Sequence, residues 1–203
     1  MSVIYLASRS PRRRELLGQI GVRFEPLLFR DGARRDPDPD EDVHQGEMPE
    51  AYVERVTRQK AQAAWERVVM RRGLRRMPVL TADTTVALGD RIFGKPADRD
   101  DAIRMLTALA GSRHRVLTAV AVCAEERIEL AVSISQVAFA PISEERIRAY
   151  VDSGEPFDKA GAYAIQGRAG AFAERIEGSY SGVMGLPLFE VATLLRQFGI
   201  AVP

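Results

Sequence analysis

The chain opens on VIYLA, a continuous apolar run that reads as a short buried strand. In LASRSPRRRELL, Ser10 stands where a helix N-cap is expected and Pro11 at the first helical position, so a helix follows and stops near Gly21. VRFEPLLF fits a second strand. From Arg30 to Met48 the pattern dissolves into RDGARRDPDPDEDVHQGEM, a solvated loop rich in Asp, Gly and Pro. Pro49 opens a long helix reaching Gly73, with an apolar stripe of Val53, Val56, Ala63 and Ala64. VLTADTTVALGDRIFG is a β-branched run turned at Gly89 and Asp90, and reads as a strand and hairpin. In DRDDAIRMLTALAG, Ala102, Ile103, Leu106, Leu109 and Ala110 share one helical face behind an acidic start. HRVLTAVAVCA and IELAVSISQVAFA are long strands joined at EER, and Ser143 caps a further helix. The Gly-rich stretch from Gly154 to Gly185 holds one short strand, AFAERI, and a last helix runs from Pro187 to near Gly199.

Strands and helices alternate, pair into hairpins, then alternate again. That order predicts an α/β fold with a mixed twisted sheet flanked by helices, not a strictly doubly wound one. No repeat or low-complexity linker divides the sequence, so residues 1–203 read as a single domain. A 203-residue chain that is 46% hydrophobic can bury a full core. Its 29 basic and 28 acidic side chains leave a net charge of +1, which argues against a bulk electrostatic grip on nucleic acid or an anionic membrane. Cys123, the only cysteine, lies in an apolar run and reads as buried and inert, in keeping with a reducing compartment. No apolar run approaches ~18 residues and no signal-peptide pattern opens the chain, so the expected location is cytoplasmic.

Candidate chemistry begins with a misplaced charge. Arg12, Arg13 and Arg14 crowd the first turn of the first helix, with Arg9 just ahead of its cap. A helix N-terminus is its positive end, where cations typically cost a few tenths of a kcal/mol each. Free backbone N–H groups at such an end bind anions, and guanidinium forks match phosphate oxygens two at a time, so a polyphosphate would account for the cluster. The competing reading has these arginines splayed into solvent or paired with Glu15 or the acidic loop. Lys60 lies on the apolar stripe of the long helix, where it either snorkels to water or reaches into an anion-filled cleft. Asp83 interrupts a run of strand formers in ADTTV; such a carboxylate pairs with a cation, binds a metal or acts as a base. GKP sets Lys95 in a turn after the hairpin.

Taken in order, LASRSPRRRELL, RQKA, ADTTV, GKP, GSRHRVLTAV, EPFDKAGAYAIQG and GSYSGVMGLPL resemble the Maf family of nucleoside triphosphate pyrophosphatases over nearly the whole chain. The resemblance implies an elongated, two-lobed fold of the inosine-triphosphate-pyrophosphatase type with a central cleft. It also implies Mg²⁺- or Mn²⁺-dependent cleavage between the α and β phosphates, yielding a nucleoside monophosphate and pyrophosphate. On the family pattern Asp83 is the catalytic carboxylate that accepts a proton from water. Ser8, Arg12, Arg13, Lys60 and Lys95 match the phosphate-contacting set, and Arg12, Thr84 and Gln166 the positions that separate substrate subclasses. ADT with AYAIQG is similar to the branch that hydrolyses dTTP and UTP, whereas the 7-methyl-GTP branch carries different residues at both places. Gln166 offers the donor and the acceptor that a pyrimidine edge requires. The resemblance further implies a homodimer.

The match has one departure. Where the family carries an acidic residue or pair after the second strand, counting in register gives Gly32 and Ala33, with Asp31 and Asp36 nearby but out of place. The metal ligands are thus unassigned, and Arg9 stands where a small residue is common. His114 reads as structural, His44 has no evident partner, and Trp65, Tyr163 and Tyr180 read as packing residues. Two alternatives stay open: a nucleotide-binding regulator of cell division with weak catalysis, and the same chemistry on 7-methyl-GTP. Retention of Asp83 with both lysines weighs against the first; Thr84 and Gln166 weigh against the second.

Overall fold

The computed structural model describes residues 3–27 and 40–202. Its strands form one seven-stranded sheet. They are β1 (Val3–Leu6), β2 (Arg23–Pro26), β3 (Val79–Leu88), β4 (Arg91–Phe93), β5 (Arg113–Ala124), β6 (Arg127–Phe139) and β7 (Ala173–Glu177). The order across the sheet is β2-β1-β3-β5-β6-β7, with β4 attached to β3. β1 is parallel to β2 and β3, while the other pairs are antiparallel, so the sheet is mixed as expected. Tight turns make the β3–β4 and β5–β6 pairs antiparallel. Gly89, at φ +59°, turns β3 into β4, and Glu125 and Glu126 turn β5 into β6.

The helices are α1 (Pro11–Gln19), α2 (Pro49–Met70), α3 (Arg99–Leu109), α4 (Glu144–Val151), α5 (Tyr180–Val183) and α6 (Leu188–Gln197). Alternation along the strands sorts the core into layers. Odd-numbered residues of β3 and β5, such as Val79, Ala87, Leu117, Ala119 and Ala121, meet Val53, Val56, Ala61 and Ala64 of α2. Even-numbered residues face the other side, where two separate patches form. Leu80, Val120 and Val122 pack with Leu16 and Leu17 of α1 and Leu194 and Leu195 of α6. Val86 and Val116 pack with Leu106 and Leu109 of α3 and Ile147 of α4. Each fully buried leucine contributes about 1.5–3 kcal/mol. Among the described residues, no helix is long and apolar enough to cross a membrane.

One feature of the sheet opens a cleft at its centre. β1 pairs with β3 only at Val79 and Leu80, and β4 joins the same edge only from Val86 onward. β5 covers the opposite edge continuously from Val79 to Ala87. Residues 81–85 of β3 therefore have a strand on one side only, and side chains from both faces of the sheet border the gap.

Several sequence boundaries shift for physical reasons. β2 stops at Pro26, which has no N–H for a ladder, and residues 28 and 29 of VRFEPLLF lie outside the described residues. α2 ends at Met70, before Gly73. On α3 it is Met105 that is fully in the core, with Ile103 only partly covered. Besides β7, the Gly-rich stretch holds 3-10 turns at Glu155–Asp158, Ala160–Ala162 and Arg168–Phe172, and the short α5.

Candidate active site

A cleft of about 870 Å³ opens at the gap in the sheet. Ser8, Arg12, Arg13, Lys60, Asp83 and Lys95 all line it, as do Thr84 and Gln166, whereas Arg14 of the arginine cluster does not. Arg9 lines it too.

The first wall is the β1–α1 junction. Ser10 caps α1 by accepting from the Arg13 N–H at 3.4 Å, and Ser8 Oγ accepts from the Ser10 N–H at 3.2 Å. The three arginines then behave differently. Arg12 reaches across the cleft mouth to Asp158, at 3.8 Å. Arg13 turns inward: Nε donates to Gly185 O at 2.7 Å, Nη1 to Ala82 O at 2.7 Å and to Ser8 Oγ at 3.4 Å, and Nη2 to Thr84 Oγ1 at 3.1 Å. A guanidinium has five N–H groups, and these bonds occupy most of them. Burial lowers the Arg13 pKa from its ordinary value, while the negative charge of Asp83 opposes that shift. Arg13 thus ties α1, β3 and the turn before α6 together in this state.

Thr84 continues that tie. Thr118 Oγ1 donates to Gly182 O at 2.8 Å, so its one proton is spent. The 3.0 Å contact between Thr84 Oγ1 and Thr118 Oγ1 must then carry the Thr84 proton, leaving Thr84 to accept from Arg13. A directed chain runs from Arg13 through both threonines to the backbone of α5.

Asp83 and Thr84 are adjacent on β3 and so point to opposite faces. On the α2 face, Asp83 Oδ1 accepts from Lys60 Nζ at 2.6 Å. Lys60 Nζ also meets Glu41 Oε1 at 2.7 Å, so two carboxylates converge on one ammonium. Lys60 does not snorkel to bulk water; its side chain is 19% exposed and Asp83's is 14%. Lys95 lines the far side, with no ion-pair partner among the described residues.

Glu41 is the residue that sequence reasoning missed. Register counting pointed to Gly32 and Ala33, which together with Asp31 and Asp36 lie outside the described residues. The acid facing Lys60 comes instead from further along the loop, which is fastened to α2 by long-range contacts. Arg55 Nε and Nη2 donate to Glu47 at 2.6 and 2.8 Å, and its Nη1 and Nη2 donate to Asp40 O and Asp42 O at 2.9 and 2.8 Å. The Tyr52 hydroxyl donates to Glu41 O at 3.0 Å. Burial and the charges of Asp83 and Glu41 push the Tyr52 hydroxyl up to about 12. His44 does have a partner here, Asp40, at 2.9 Å. A signal for Glu41 existed only in three dimensions, because the loop has no periodicity of its own. Lys159, also on the cleft wall and paired with Asp158, was missed as well.

His114, Trp65 and Cys123 are packing groups, and Tyr163 packs while also lining the cleft. His114 is buried in edge-on contact with Phe139 and Tyr163, and its Nε2 lies 2.9 Å from the Tyr163 hydroxyl. Burial pulls its pKa down to about 4, so the ring is neutral. Trp65, on α2, packs at the edge of the core against Val79 and Ala121, whereas Tyr180, expected to pack, is exposed. Cys123 is buried, and burial pushes its thiol up to about 11, which keeps it inert.

Comparison with known proteins places the chain in a family. A dTTP/UTP pyrophosphatase of Cupriavidus metallidurans is 57% identical over 98% of both chains. One from Aromatoleum aromaticum is 57% identical over 97% of this chain and 95% of its own. Another, from Chromobacterium violaceum, is 52% identical over 98% of this chain and 96% of its own. The family profile described as Maf-like protein matches residues 3–198. The chain belongs to the Maf family.

Proposed function

We propose that this protein is a nucleoside triphosphate pyrophosphatase that hydrolyses dTTP and UTP to the nucleoside monophosphate and pyrophosphate. The observation that carries the reading is the juxtaposition of Asp83 with Lys60, Arg12 and Lys95 around the unpaired stretch of β3. Cations on three walls suit a chain of phosphates, and one carboxylate among them suits a base. The names of the relatives supply the pyrimidine preference. Thr84 and the Gln166 amide on the cleft wall are in keeping with it, since the amide makes no hydrogen bond among the described residues and is free to meet a base edge. All of residues 1–203 are taken as one domain around this cleft, acting on free nucleotides in the cytoplasm as a homodimer.

In the reaction, Asp83 accepts a proton from water as the water oxygen bonds to the α phosphorus. The bond from that phosphorus to the bridging oxygen breaks, and pyrophosphate leaves with the electron pair. Arg12, Lys60, Lys95 and the capped start of α1 hold the phosphate oxygens on which charge accumulates, so positioning and electrostatics do most of the catalysis. Ser8 offers a hydroxyl beside them. Arg13 would contribute through the walls it fastens and through its remaining N–H.

A divalent cation fits this donor set. Mg²⁺ and Mn²⁺ favour oxygen ligands, and Mg²⁺ commonly takes one or two carboxylates plus substrate phosphates. Asp83 and Glu41 already converge on a positive charge, that of Lys60. No cluster of three or more acidic, His or Cys ligands occurs among the described residues. Asp83 and Glu41 are the residues that would hold the ion, whose chemistry would be to neutralise phosphate charge and acidify water.

The test is product analysis with dTTP, UTP, 7-methyl-GTP and dGTP in Mg²⁺ or Mn²⁺. Pyrophosphate and monophosphate from dTTP and UTP are expected. Orthophosphate release, or nucleotide binding without turnover, would overturn the reading.

A further inference from the structure

The cleft wall that carries Gln166 is itself held from behind by groups that do not reach the cavity. The Gly167 N–H donates to Ala164 O at 3.0 Å, closing a four-residue turn with Ile165 and Gln166 at its corners. Both ends of this turn are tied to one carboxylate. The Arg168 N–H donates to Glu155 Oε2 at 3.3 Å. The Ala164 N–H donates to the Tyr150 hydroxyl at 3.2 Å, which in turn donates to Glu155 Oε1 at 3.0 Å. We propose that Glu155 is a positioning residue for base recognition, holding through Tyr150 and the Arg168 amide the turn that presents Gln166 to the nucleotide. This rests on the reading that Gln166 meets the base.

Independent observations support the assignment. Gly167 has an ordinary φ of −103°, so backbone strain does not call for glycine. Space does. A Cβ there would lie 2.2 Å from Glu155 Oε1 and 2.8 Å from Oε2, well inside contact distance. The turn therefore rests directly on the carboxylate, and Gly170 repeats the pattern, since its Cβ would fall 2.7 Å from Ile165 O. Glu155 is itself secured, because Lys159 Nζ donates to its backbone oxygen at 2.8 Å. Tyr150 is almost fully buried against Phe172, and burial raises its pKa, so the hydroxyl keeps the proton the chain requires. Neither Glu155 nor Tyr150 lines the cleft. Any effect of Glu155 on substrate must travel through the turn.

Steady-state kinetics with dTTP, alongside inhibition by inorganic tripolyphosphate, tests this. Tripolyphosphate offers the phosphate chain without a base. Glu155→Ala should raise the dTTP KM at least about tenfold, the scale of losing hydrogen bonds to a charged acceptor. Its kcat and the tripolyphosphate inhibition constant should stay near wild type. Gly167→Ala should do the same in the wild-type background and add little in a Glu155→Ala background, where the methyl no longer meets a carboxylate. Glu155→Gln and Tyr150→Phe, which keep the side-chain volume, should give partial versions and serve where the alanine variant unfolds. A parallel rise of KM and inhibition constant, or no rise while Gln166→Ala does raise KM, would overturn the positioning role alone. No change in Gln166→Ala would overturn base recognition by Gln166, and this proposal with it.

Discussion

Arg13 illustrates how much a single side chain decides here. In sequence it is one of a run of arginines at the positive end of a helix, where a nearby anion would offset the repulsion. In the structure it also bridges Ala82 O and Thr84 Oγ1 of β3 to Gly185 O in the turn before α6. Removing it strands those acceptors. Arg13→Ala should cost about 2–4 kcal/mol of stability in urea unfolding, because each buried acceptor left unpaired costs about 1–3 kcal/mol. Arg13→Lys should recover only a minority of this, since one ammonium cannot span acceptors set for a planar fork. An unchanged unfolding midpoint with lost turnover would make Arg13 a phosphate ligand and nothing more. Its neighbour Arg12, by contrast, has an ion pair at 3.8 Å with Asp158 among the described residues, a contact it can leave for a substrate.

Among the elements, the acidic loop ahead of α2 is the informative one. Glu47 is held down to about 2 by its hydrogen bonds with Arg55, against an ordinary value of 4.5. The folded pKa lies below the unfolded one, so the fastening is fully present above about pH 4.5 and is lost as pH falls toward about 2. Hydrogen exchange in residues 40–47 should therefore accelerate across that window before the sheet opens, and Glu47→Gln should already be fast at pH 7. Pattern and propensity made the strands and most helix starts legible: Ser10 and Ser143 cap as expected, and Gly89 turns the hairpin. They could not reach Glu41, because its placement depends on Arg55 and Tyr52 on α2. The same holds for the turn at Gln166, shaped by Glu155 and Tyr150 from the preceding helix and its sequel. Asp83 and Lys60 were legible as anomalies, charges set where local rules disfavour them, whereas Lys95, in a turn, drew its role from the family resemblance.

For the molecule as a whole, the cleft exists because β1 and β4 share an edge of β3 without meeting. That gap lets Asp83 on one face and Thr84 on the other border the same cavity, something a fully paired strand would forbid. The cost of a two-sided core shows in groups such as His114, buried neutral with a pKa near 4 against 6.5 when unfolded. The unfolded chain binds the extra proton between those values, so stability should fall as pH drops from about 6.5 to 4, by up to about 1.4 kcal/mol per pH unit. Chemical unfolding across that range should show the slope, and His114→Phe should flatten it; an equal slope in the variant would place the effect elsewhere. The central claim concerns the same architecture at work, a crowd of cations presenting phosphates to one carboxylate. Parallel measurement of dTTP affinity and turnover in Asp83→Asn tests it most directly. Affinity within a few fold of wild type, with turnover down about 10²–10⁴-fold, is the result expected for loss of a general base. Turnover near wild type in that variant would contradict the account.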